Sequence, residues 1–137
     1  MAVIEELIRV EENETISFGN HLMETKKKVL DFEVDGNLYK VKTYKEITKL
    51  EKNGILLYES VPGTTVHHFD MDEKTISFSV EGERDAQITM ELEPEKEYKI
   101  LIDNVHVGKV KSSLAGKITF SVDFTNGKQK VKIEKIG

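Results

Sequence analysis

The sequence predicts an all-β protein made of two small antiparallel sandwich-like or barrel-like halves. Three observations carry that prediction. Apolar and polar residues alternate with a period of two through most of the second half. Turn-forming pairs such as Asp103-Asn104 and Asn126-Gly127 punctuate those runs at short intervals. The stretches with helical apolar spacing are short, one near the N-terminus and one at 44–52.

The elements follow in order. Ile4, Leu7 and Ile8 permit one helical turn, although Leu7-Ile8-Arg9-Val10 equally suits a strand. A short strand at 15–18 ends at Gly19. Strands at 29–34 and 38–44 flank Asp35-Gly36-Asn37, a hairpin signal. In 44–52 Ile47 and Leu50 stand at helical spacing, which allows a short helical turn. Asn53-Gly54 opens an apolar strand at 55–60, and Pro62-Gly63 fits a type II turn, with glycine supplying the positive φ. A strand at 64–69 follows.

In the second half the core-facing sets are Ile76, Phe78, Val80; then Ile88, Met90, Leu92; then Tyr98, Ile100, Ile102. Val105 and Val107 slip register at Gly108 before Val110, which predicts a bulge. Ile118, Phe120, Val122 and then Val131, Ile133 complete the set. The organisation reads as a β-rich half at 1–69, an acidic connection at 70–74 and a small sandwich at 75–137.

Composition bounds the function. The chain has 137 residues, 38% of them hydrophobic and 33% charged, which suffices for a core and for one domain or two small ones. Its net charge is −5, mildly acidic in both halves, which argues against a nucleic-acid footprint and against an anionic-membrane anchor. Without cysteine there is no thiol nucleophile, disulfide or Cys-ligated zinc. No secretory pattern or apolar span is read near Met1, and a cytoplasmic location is expected.

Several segments then carry a resemblance. They are Lys42-Thr43-Tyr44-Lys45-Glu46-Ile47-Thr48-Lys49-Leu50-Glu51-Lys52-Asn53-Gly54, Tyr58-Glu59-Ser60-Val61-Pro62-Gly63-Thr64 and Asp85-Ala86-Gln87-Ile88-Thr89, with Val80-Glu81-Gly82, Leu92-Glu93-Pro94 and Gly108-Lys109-Val110-Lys111. Together the chain resembles an uncharacterised family of short all-β proteins from anaerobic Gram-positive bacteria, some of whose members carry the label endosialidase. The stretch from Tyr98 to Ile136 is similar to small β-sandwich modules appended to polysaccharide-degrading enzymes. The label implies glycoside hydrolysis, and the module likeness implies glycan binding. Propeller-type sialidases grip the substrate carboxylate with three arginines, whose forked cations match it bidentately. This sequence has two, Arg9 and Arg84, and is too short for several four-stranded blades.

Among potential metal ligands, His68, Asp70 and Asp72 come nearest to a site, sharing a face if their strand runs on unbroken; no metal and no cofactor is expected. Tyr39, Tyr44, Tyr58 and Tyr98 are the candidates for a sugar-stacking platform. Glu91 and Glu93 alternate with Met90 and Leu92, so they point to water rather than across a cleft. Lys26-Lys27-Lys28 reads as a loop or an edge guard, and Lys128, Lys130 and Lys132 as an exposed face or a protected edge. The uninterrupted Ile55-Leu56-Leu57-Tyr58 asks for burial on both faces, by the other half or by a second subunit. The expected function is therefore a non-enzymatic structural or interaction protein that self-associates as a homo-oligomer. A glycan partner is the alternative, a small glycoside hydrolase the second alternative, and neither nucleic acid nor membrane is expected.

Overall fold

The structure, a computed structural model, describes residues 3–125 and 127–136. Among these it has thirteen strands and no helix. The first-half strands are β1 (Ile8–Val10), β2 (Ile16–Phe18), β3 (Lys27–Val34), β4 (Asn37–Tyr44), β5 (Ile47–Lys52), β6 (Ile55–Val61) and β7 (Thr65–Met71). The second-half strands are β8 (Thr75–Glu81), β9 (Ala86–Glu91), β10 (Glu97–Ile102), β11 (Val105–Lys111), β12 (Lys117–Val122) and β13 (Gln129–Ile136).

They form two antiparallel sheets, one of seven strands in the order β1-β2-β7-β8-β13-β10-β11 and one of six in the order β12-β9-β6-β5-β4-β3. First-half strands take one side of each sheet and second-half strands the other. The seam lies between β7 and β8 in one sheet and between β6 and β9 in the other, and both pairs are hydrogen-bonded ladders. The tract 70–74 forms the end and turn of the β7–β8 hairpin. One hydrophobic cluster runs through both halves, from Ile8 and Val41 to Ile118 and Ile133.

Turn chemistry sets the registers. Asp35-Gly36, Asn53-Gly54 and Asp103-Asn104 each have two consecutive positive φ angles, the twist that matches two-residue hairpins. At the bulge foreseen beside Gly108, Ile100 pairs with Gly108 and Leu101 with His106, leaving Val107 as the extra residue. Asn126 lies outside the described residues, so the Asn126-Gly127 turn is not described.

Three expectations change, and one open alternative is decided. The stretch 44–52 is not helical: Lys45 and Glu46 form a turn, and β5 pairs Tyr44 with Ile47 and Val41 with Leu50. Its inward residues are Thr48 and Leu50, both fully buried, so the period is two and a polar residue hid it. Of the two readings near the N-terminus, helical turn or strand, the structure takes the strand, β1. At Pro62 the preceding peptide is cis, and Gly63 does not take a positive φ. Gly63 serves instead for close approach, because a Cβ there would stand 2.0 Å from the Tyr44 carbonyl oxygen. Lys130 and Lys132 lie on β13, an interior strand, where they are exposed surface and guard no edge.

Two clusters hold the sheets together. Tyr58 from the six-stranded sheet meets Phe18 and Phe78 of the other edge-on at 5.4 and 5.6 Å, and Phe69 stacks on Phe78 at 5.6 Å. Such pairs contribute about 0.5–1.5 kcal/mol each beyond the area they bury. Tyr58 and Phe78 come from opposite halves, so this packing crosses the seam. Beside it lies a buried hydroxyl network. The Thr48 hydroxyl donates to the Thr64 carbonyl at 2.6 Å and accepts the Thr64 N–H at 3.1 Å. Thr43 lies 2.9 Å from Thr48, and the hydroxyls of Tyr58 and Ser60 reach Thr64 Oγ1 at 2.8 and 2.7 Å. Every member is fully buried and partnered, the condition under which polar groups inside a core stabilise it. The Tyr58 hydroxyl is pushed well above its usual range by burial.

Candidate functional site

The buried imidazole and carboxyl groups lie on the outer face of the seven-stranded sheet, around a break in β7. Val66 pairs with Phe18, and Phe69 with Ile16, so His67 and His68 together oppose Ser17. His68 has a positive φ of 55° at this bulge. The extra residue sets His67 and His68 on one face; His68 and Asp70 still share the outer face, on either side of the buried Phe69.

His68 is exposed; its Nδ1 lies 3.1 Å from Thr15 Oγ1, and its N–H donates to Ser17 Oγ at 3.0 Å. His68 and Asp70 line a shallow polar hollow of about 180 Å³ with Asn13, Ser77, Ser79 and Lys130. Asp72 is elsewhere, accepting the N–H groups of Lys74 and Thr75 at 2.8 Å each. These bonds hold its carboxyl below its usual range and make it a turn residue. Among the described residues no group of three His, Asp or Glu is spaced to hold a metal ion.

His67 points to a buried neighbour. Its Nε2 lies 3.2 Å from Glu81 Oε2. His21, in the connection between β2 and β3, docks on the same face, with Nδ1 2.7 Å from Thr65 Oγ1. Exposures of 2% for His21, 6% for His67 and 8% for Glu81 place all three inside the protein. His21 Nε2 and Glu81 Oε1 are buried without a hydrogen-bond partner. Burial pushes both imidazoles below their usual range, with the nearby Glu81 carboxylate opposing it. Nearby, Ser17 donates to Glu11 and holds that carboxyl below its usual range.

Little of this cluster is legible along the chain. His21 has no ligand-like neighbours along the chain, and its partner Thr65 is 44 residues away. Glu81 sits where β8 alternation predicts an outward, wet residue; it is outward, but buried. The only local signal was His67-His68 itself.

The tyrosines do not converge. Tyr39, Tyr58 and Tyr98 are buried members of the core cluster, and Tyr44 ends β4 half-buried. Tyr98 accepts the Glu93 N–H at 3.1 Å and lines a hollow of about 520 Å³ at one end of the sandwich, with Ile76, Leu92 and Lys135. Tyr39 lines a separate hollow with Leu30 and Leu38. Glu93 is spent on Lys135 at 2.5 Å.

The remaining sites of interest are sheet edges, which are β1 and β11 in one sheet and β12 and β3 in the other. β1 has three residues, too few to template a partner. β3 starts at Lys27-Lys28 and carries a bulge between Val29 and Phe32. β11 carries its bulge and Lys109 and Lys111. β12 pairs with β9 over all six residues without a shift, and its outward residues are Lys117, Thr119 and Ser121. The connection leading into it from β11 exposes Leu114. β6 is no edge: it lies between β5 and β9 with Leu57 and Tyr58 in the core.

Comparison of the chain with protein-family models, with curated proteins and with solved structures finds no match, so the reading of its sites rests on their geometry.

Proposed function

We propose that this is a non-enzymatic interaction protein that self-associates by pairing β12 with β12 of a second copy. One observation carries the reading: of the four edges, β12 alone is long, regular and without bulge or lysine pair. An antiparallel pair about a two-fold axis at Thr119 sets Thr119 opposite Thr119, Lys117 opposite Ser121 and Ile118 opposite Phe120. No like charges meet, hydroxyls meet on the wet face, and the apolar row continues on the core face. The exposed Leu114 beside the strand adds apolar area to that end. The self-association expected from Ile55–Tyr58 thus moves to another strand.

Light scattering coupled to gel filtration tests it. The native chain at micromolar concentration is expected to run at the mass of two chains. Thr119→Lys, which sets two cations opposite each other on an exposed position, is expected to run at the mass of one chain with an unchanged β-sheet spectrum. A native mass of one chain, or a dimer that Thr119→Lys leaves intact, contradicts the proposal.

A further inference from the structure

The cluster on the outer face plays no part in that association, and its composition is unusual for a purely structural contact. Two imidazoles and a carboxyl group are buried together. One oxygen and one nitrogen among them are left without partners. One carboxylate can balance one imidazolium; a second proton leaves a buried cation uncompensated.

The connection that His21 anchors is lightly held. Residues 19–25 contain no strand and join the seven-stranded sheet to the six-stranded one. Its backbone ties to the rest are Ile4 N–H to the Gly19 carbonyl at 3.2 Å, Gly19 N–H to the Leu7 carbonyl at 3.0 Å, Asn20 N–H to Thr43 Oγ1 at 2.9 Å, His21 N–H to Thr65 Oγ1 at 3.4 Å and Lys45 N–H to the Met23 carbonyl at 2.9 Å. Leu22 is exposed, and Lys45 bonds Glu24 at the surface. His21 is the one fully buried side chain in 20–25, and beside it lies a hollow of about 340 Å³ lined by Lys45, Glu46, Glu83 and Arg84.

We propose that His21 and His67, grouped about Glu81, form a proton-sensitive latch that holds the 19–25 connection on the sheet at neutral pH and releases it on acidification. The groups facing His21 are Glu81 from β8, Glu83 from the following turn, His67 from β7, and the Lys45, Glu46 and Arg84 rim. Those facing His67 are Glu81, His68 and Lys128. The carboxylates favour the charged imidazoles, but desolvation is the larger effect on both. With both imidazoles depressed, the closed form binds fewer protons than the open one. Closure is complete above the ordinary histidine range near 6.5 and weakens as pH falls through it. Opening returns His21 to water, and the strands, held by the core cluster, stay in place.

Amide NMR between pH 8 and pH 4.5 tests this. In the native chain the signals of Asn20–Met23 are expected to leave their folded positions with a midpoint below 6.5, while β8 and β13 signals stay. His21→Gln keeps a hydrogen-bonding group for Thr65 but cannot take a proton. It is expected to lose that transition or move it down by about one pH unit or more. His67→Gln, which leaves the His21–Thr65 contact in place, is expected to lower the midpoint as well, and serves where His21→Gln does not fold. Folded signals for 20–23 down to pH 4.5, a transition in which β8 and β13 unfold at the same pH, or an unchanged midpoint in the variants overturns the proposal.

Discussion

Thr64 shows how much of this fold turns on single polar atoms inside it. Its hydroxyl is hydrogen-bonded to those of both Tyr58 and Ser60, and its backbone N–H and carbonyl both bond the Thr48 hydroxyl. Replacing it with valine keeps the volume and strands two buried hydroxyls. Thr64→Val is expected to lower stability by about 2–3 kcal/mol in urea unfolding, whereas Gln87→Thr, on an exposed position of β9, is expected to change it by less than about 0.5 kcal/mol. Equal effects would show that the network is not what holds Tyr58 in place. Such residues were poorly legible in the sequence. A threonine reads as surface in an alternating strand, so Thr43, Thr48 and Thr64 passed unremarked. Tyr58 ends the apolar run Ile55–Tyr58 that asks for burial, yet its ring equally makes it a candidate for stacking on a sugar. Burial of a polar group depends on partners distant along the chain, and no local pattern records them. The same holds for His21 and Glu81.

Strands and hairpins were more legible, because their determinants are local. Asp35-Gly36, Asn53-Gly54 and Asp103-Asn104 each adopt the positive φ pair that their chemistry invites. Where local signals conflicted, packing decided. Ile47 and Leu50 suggested helix, yet β4 and β6 offered ladders on both flanks, and β5 took them. Glycines differ for a related reason. Gly36 has a positive φ but open space around it, so Gly36→Ala is expected to cost about 1 kcal/mol. Gly63 has backbone oxygen where its Cβ would go, and only movement of β4 or the turn could relieve the clash. Gly63→Ala is expected to cost more than about 2 kcal/mol. Thermal unfolding of the two variants checks the order; a milder effect at Gly63 would contradict the close approach. Edge status was legible only in part: the lysines that open β3 do mark an edge, but those of β13 do not, since neighbours in a sheet follow topology rather than sequence.

At the scale of the molecule, the two halves are visible in the sequence and their fusion is not. The change from irregular to strictly alternating patterning places the halves on either side of 70–74. That β6 pairs with β9 across 28 residues, and that Tyr58 packs on Phe78, leaves no mark on the pattern. Yet this seam gives β6 and β7 their second neighbours and leaves β12 an outer strand, so the association and the latch both presuppose it. Continuous sheets and one core make the chain a single cooperative unit. Differential scanning calorimetry of Thr119→Lys at neutral pH measures this without interference from association. One transition is predicted, with equal calorimetric and van't Hoff enthalpies. Two resolved transitions, or a van't Hoff enthalpy near half the calorimetric one, would mean that the halves melt separately and that the seam does not join them.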